Sequence, residues 1–115
     1  MLNKLRTVIY HVADLQKAKE WYVQLTGVQP YFDEPFYVGF DINGCELGLD
    51  PDGTKFTEGN NTLTYWSVDD INAAVEKAVS IGAAIVSPVT NVGGTIEVAT
   101  IKDIFGNYIG FISEA

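Results

Sequence analysis

Two octapeptides, HVADLQKA from His11 and SVDDINAA from Ser67, lie 56 residues apart and match at Val12/Val68, Asp14/Asp70 and Ala18/Ala74. This duplication constrains the fold more than any other feature. Each copy carries strand and helix signals, yet each is too small to bury both faces of its own sheet, so the copies are expected to pair.

In the first copy, residues 5–12 (LRTVIYHV) are β-branched and aromatic and read as a strand. Asp14 suits a helix N-cap, Leu15, Ala18, Trp21, Tyr22 and Leu25 follow at helical spacing, and Gly27 suits the stop. After QPYFDEP come FYVGFDI and CELGL, separated by Asn43-Gly44, a strong hairpin signal. The copy therefore reads strand, helix, then two or three strands. The second copy repeats the order: TLTYWSV, a helix capped by Asp69 or Asp70 and stopped by Gly82, a short strand in AAIVSPV, then GTIEVATIKD and NYIGFIS. DPDGTKFTEGNN reads as the polar connection between copies, with DPDG as a turn rather than a calcium loop, because the remaining acidic positions are missing. Trp21, Tyr22 and Trp66 are expected in the core.

At 115 residues the chain suffices for one domain with a core and not for two ordinary ones. It is expected to be a single domain, 1–115, of two repeats at about 1–55 and about 60–115. The net charge of −8 argues against nucleic acid or an anionic membrane as partner, and fits either plain solubility or neutral and cationic ligands. A single cysteine, Cys45, excludes an internal disulfide and suits a reducing compartment; its strand-like flanks suggest a buried structural thiol. The first fifteen residues hold no apolar stretch of signal or membrane-span length, so a cytoplasmic protein is expected.

Tandem copies of this unit, with HVADLQKAKEWYVQLTG early and KDIFGNYIGFI at the end, resemble the vicinal oxygen chelate superfamily of glyoxalases, extradiol dioxygenases, fosfomycin-resistance enzymes and bleomycin-binding proteins. The resemblance implies an α+β fold of tandem βαβββ modules pairing into a curved mixed sheet around a central cleft, often as a homodimer. It implies no single chemistry, since one fold hosts many. In metal-dependent members, His or Glu ligands project from the first and last strands of each module. Those positions correspond here to Thr7, Glu46, Leu63 and Gly110. Three of the four carry no imidazole or carboxylate, so the standard metal site is expected to be absent and no cofactor is expected.

Glu46 raises the sharpest question, because its alternate neighbours are Gly44 and Gly48, which clear space around an acid on one strand face. Alternation places Thr7, Ile9 and His11 on the matching face of the first strand, Tyr37 and Gly39 on the third, and Leu63, Tyr65 and Ser67 on the fifth. With Ile96 and Val98 taken as core, Thr95, Glu97 and Ala99 would line the cleft. The candidate ligand contacts are thus Glu46, His11, Tyr37, Tyr65, Glu97 and Thr7. Duller alternatives stand beside them: His11 as a structural histidine, and Glu97 at a sheet edge facing water.

The leading expectation is a protein that binds a small organic ligand, neutral or cationic, between the modules, in the manner of a sequestering or resistance protein. The alternative is a glyoxalase-type lyase, isomerase or dioxygenase. It would use a divalent metal relocated to His11 with Glu46 or Glu97, or metal-free acid–base catalysis by Glu46 and His11. A third possibility is a regulatory module with a vestigial cleft.

Overall fold

The computed structural model describes residues 3, 5–52 and 63–114. The polar connection lies almost wholly outside them. The chain divides into two compact units, Met1–Thr57 and Glu58–Ala115.

In the first unit the order is β1 (Thr7–His11), α1 (Leu15–Thr26), β2 (Phe32–Glu34), β3 (Tyr37–Ile42) and β4 (Cys45–Asp50). The sheet order is β1-β4-β3-β2, with β1 parallel to β4 and the other pairs antiparallel. Asp14 caps α1 by accepting from the Lys17 amide at 3.1 Å, and Gly27 ends it at φ 72°, where a side chain would be strained. One sheet face carries Val8, Tyr10, Val38, Phe40, Leu47 and Leu49, against which α1 buries Ala18, Trp21 and Tyr22. Tyr10 stacks on Tyr22 with ring centres 5.8 Å apart. Each fully buried large side chain here contributes on the order of 2 kcal/mol through its lost water-exposed area. The other face carries Thr7, Ile9, His11, Glu46, Gly48, Asp50, Tyr37 and Gly39.

The second unit repeats this plan with β5 (Thr64–Ser67), α2 (Ile71–Ser80), β6 (Ala84–Gly93), β7 (Ile96–Lys102) and β8 (Tyr108–Ser113), in sheet order β5-β8-β7-β6. Asp70, rather than Asp69, caps α2 through the Ala73 amide. No helix of the described residues is long and apolar enough to cross a membrane.

The first unit has three strands after its helix, within the two or three expected, and the first of them is the three-residue β2. Two elements differ from expectation. The strand expected in AAIVSPV runs on through Asn91 to Gly93; it sits at the sheet edge, where register shifts around Ser87 accommodate Pro88. Trp66 is half-buried rather than core.

Candidate functional site

The open face of the first unit is organised around Glu46. On β4 it stands opposite Thr7 of β1 and Asp41 of β3. The space beside it is filled by two tyrosines. The Tyr37 hydroxyl donates to Oε2 at 2.5 Å, and the Tyr31 hydroxyl donates to Oε1. Tyr37 lies directly over Gly48, where a Cβ would fall 1.9 Å from its hydroxyl oxygen. Tyr31, whose amide bonds to the Gly39 carbonyl at 3.0 Å, lies over Gly39. The glycines therefore make room for the rings that grip the carboxylate.

The electrostatics follow from this clamp. Hydrogen bonds from Tyr31 and Tyr37, helped by the nearby Arg6 guanidinium and opposed by partial burial, hold the Glu46 carboxyl below its usual range. Burial, and then the bond to Glu46, pushes the Tyr37 phenol well above its ordinary value. The bond to Glu46 raises Tyr31 as well. A carboxyl lowered in the folded state adds stability above the unfolded carboxyl's pKa and loses it as pH falls through the folded value. Below about pH 4 the wild type should therefore lose stability more steeply than Glu46→Gln, which urea midpoints at successive pH values would read. Equal slopes would mean that the folded state leaves Glu46 unperturbed.

The other candidates are distributed differently. Thr7 is on the Glu46 face, and its hydroxyl already accepts from Arg6 Nη1 at 2.7 Å. His11 shares the face but stands opposite Asp50, with Nε2 3.9 Å from Oδ2. Glu46 and Asp50 are four residues apart on one strand, which puts His11 about 13 Å from Glu46 along the sheet. His11 and Glu46 are thus not an acid–base pair, nor do they converge as metal ligands. Tyr37 stands beside Glu46 and is its hydrogen-bond donor. Tyr65 is half-exposed on the open face of the second unit, its ring lying over Gly110.

Glu97 requires a correction. It pairs with Ser113 on the face that also carries Ala99 and Ile101, which are 1% and 0% exposed, and against which α2 buries Ile71, Val75 and Ala78. Ile96 and Val98 face the opposite way and are not the core set. The small Ala99 fits beneath the helix, so residue size misled the assignment of faces. Glu97 is therefore on the helix side of its sheet.

The repeat register also corrects a ligand position. Val12 N–H bonds to the Asp50 carbonyl at 3.0 Å, and Val68 N–H bonds to the Ile112 carbonyl at 2.9 Å. Asp50 thus corresponds to Ile112, Gly48 to Gly110, and Glu46 to Tyr108. Gly110 is not the repeat mate of Glu46.

The donor set does not fit the standard metal site. The Thr7 hydroxyl is engaged by Arg6, Leu63 offers no donor, and Tyr108, the repeat mate of Glu46, brings a phenol rather than an imidazole or carboxylate. Among the described residues no three His, Cys, Asp or Glu side chains gather where an ion could be held. Cys45, expected to be buried, is half-buried, with its Sγ 4.0 Å from the Glu46 carbonyl oxygen.

Sequence reasoning missed Tyr31 and Arg6. Tyr31 sits in QPYFDEP, which has no strand periodicity. Its only signal was Gly39, a bulk-free position that something had to cover.

The fold is shared with solved structures. A glyoxalase/bleomycin resistance protein/dioxygenase family enzyme from Burkholderia phytofirmans PsJN is 18% identical, with a TM-score of 0.82 over 96% of this chain and 98% of that one. The fosfomycin resistance protein FosX of Listeria monocytogenes is 14% identical, with a TM-score of 0.82 over 100% and 96%. TioX of Micromonospora sp. ML1 is 20% identical, with a TM-score of 0.73 over 98% and 100%. Similarity at these identities speaks to fold alone. No curated protein matches the chain by sequence. The family model for the glyoxalase/bleomycin resistance protein/dioxygenase superfamily matches residues 4–111, and with the repeated β-α-β-β-β units this places the chain in that superfamily.

Proposed function

We propose that this chain binds a small organic ligand, neutral or cationic, on the Glu46 face of its first unit, without the standard metal site of its superfamily. One observation carries the reading: an ionised carboxylate, clamped by two phenols, stands in an open groove beside exposed apolar side chains. The groove, of about 880 Å³, is lined by Arg6, Ile9, Phe36, Tyr37, Glu46 and Asp50 among others, a size that suits a drug-like molecule. Ile9 is 46% exposed and Phe36 67%, which is costly for apolar groups unless they serve a contact. Carboxylates outnumber cations around the groove, which disfavours an anionic ligand.

The acid–base alternative finds less support. A carboxyl held below its usual range is a weak proton acceptor, and His11 is too far away to share a proton with it.

Fluorescence titrations with the neutral N-phenyl-1-naphthylamine and the cationic berberine test the reading. Saturable binding of either at one site per chain is expected. In parallel, protein stripped with chelator, offered zinc, nickel, manganese or iron(II), and desalted should retain far less than one equivalent. Stoichiometric metal, or turnover of a hemithioacetal or a catechol, would replace binding with the enzyme alternative.

A further inference from the structure

Each Glu46 carboxylate oxygen is engaged by a phenol from a different end of one hairpin: Tyr31 immediately precedes β2, and Tyr37 opens β3. Between them lie Phe32 and Phe36, whose ring centres are 6.0 Å apart, and Phe32 is 6.1 Å from Tyr37. Two of these four rings are largely outward, Tyr31 at 61% exposed and Phe36 at 67%, and Phe32 is partly so at 38%. A three-residue edge strand cannot hold such a row unaided, because few backbone bonds tie it to the sheet. The carboxylate supplies the missing fixture from the neighbouring strand, and Gly39 and Gly48 provide the floor on which the two phenol rings lie.

We propose that Glu46 is a positioning residue. Acting through Tyr31 and Tyr37, it holds the β2–β3 hairpin as an aromatic wall, and this wall takes a flat unsaturated ligand by ring contact. The inference rests on the binding reading above and deepens it. It moves the ligand contact from the carboxylate to the rings, which offer face and edge surfaces suited to stacking. The negative charge of Glu46 still reaches the ligand, but mainly through the phenols it polarises. Polarity at the wall is thus set by two O–H groups pointing away from the ligand towards Glu46.

Four proteins separate this from direct contact: wild type, Glu46→Gln, the double variant Tyr31→Phe/Tyr37→Phe, and the triple variant. The first readout needs no ligand. Near-ultraviolet titration should show Tyr31 and Tyr37 ionising later than ordinary phenols in wild type and earlier in Glu46→Gln. An unchanged titration curve would overturn the clamp. The second readout is affinity for N-phenyl-1-naphthylamine. Glu46→Gln and the double variant should each weaken it by about fivefold, the equivalent of losing one ordinary hydrogen bond, and the triple variant should be no weaker than either. Losses that multiply in the triple variant would mean that Glu46 touches the ligand itself, and would overturn the positioning role while leaving the binding reading intact. If wild type does not bind the probe, the wall as a ligand site falls together with the binding reading, whereas the titration still reports on the clamp. The double variant keeps both rings, so it serves if Glu46→Gln folds poorly.

Discussion

Gly48→Val is expected to expel Tyr37 from its seat, cost about 2 kcal/mol of stability and weaken N-phenyl-1-naphthylamine binding by at least about tenfold. A Cβ at this position would lie 1.9 Å from the Tyr37 hydroxyl oxygen, 2.5 Å from Cζ and 2.9 Å from Cε1. The ring must therefore leave, and Glu46 loses one of its two donors. Two terms oppose each other. Valine is the better strand former by about 1 kcal/mol, while overpacking costs about 1–3 kcal/mol and the displaced ring loses its burial, so the loss wins. Urea unfolding reads the stability, and tyrosine titration shows whether Tyr37 returns toward an ordinary phenol. The informative companion is Gly110→Val, at the equivalent place in the second unit. There a Cβ would meet the Tyr65 ring at 2.6 Å and 2.8 Å and the Thr64 carbonyl oxygen at 3.1 Å. Backbone cannot swing aside, so Gly110→Val should destabilise at least as much while leaving the late-titrating tyrosines unchanged. Wild-type titration in Gly48→Val would mean that Tyr37 does not depend on the glycine.

These two glycines also show how far the site was legible in the sequence. Asp14 as a cap, the Asp69-Asp70 pair as the second cap, Gly27 as a stop and Asn43-Gly44 as a hairpin are local signals, although only the structure chooses Asp70 over Asp69. That Gly48 clears space beside Glu46 was equally visible, because alternation along one strand is a local property. What fills the space was not visible, because Tyr31 comes from a segment without periodicity and meets Glu46 only through the pairing of β2, β3 and β4. The Glu97 error is of the same kind. Apolar size suggested that Ile96 and Val98 were core, but the helix chooses the face, and it covers Ala99 and Ile101.

The slipped repeat has a traceable origin. Gly39 lies opposite Gly48, and Thr100 lies opposite Gly110, so β3 corresponds to β7 at a spacing of 61 residues while β4 corresponds to β8 at 62. Most of the growth from the first match, at 56, comes before β7, where β6 is ten residues long against three for β2. The last residue is added in the turn before β8. An alignment carried from the helices alone therefore drifts by six positions before it reaches the last strand.

That longer turn depends on one side chain, and Asp103→Ala should cost about 3 kcal/mol, several times the effect of an ordinary surface substitution. The short β3–β4 turn is held by Asn43 and Gly44 at φ 49° and 91°, with Asp41 accepting from the Gly44 amide. Between Lys102 and Tyr108 the chain has five residues to turn through, and Asp103, 4% exposed, organises them. Its Oδ1 accepts from the Phe105 and Asn107 amides, both at 2.8 Å, and its Oδ2 accepts from Asn107 Nδ2 at 3.0 Å. Alanine removes both acceptor oxygens, and with them all three hydrogen bonds, and leaves two amides to seek water in a partly buried loop. Asp103→Asn keeps one oxygen for the two amides but presents an NH2 group to Asn107, so its cost should be nearer about 1 kcal/mol. Urea unfolding of the three proteins tests this ranking. Asp103→Ala within about 0.5 kcal/mol of wild type would mean that the turn holds without its carboxylate, and that its backbone alone sets the register of β8.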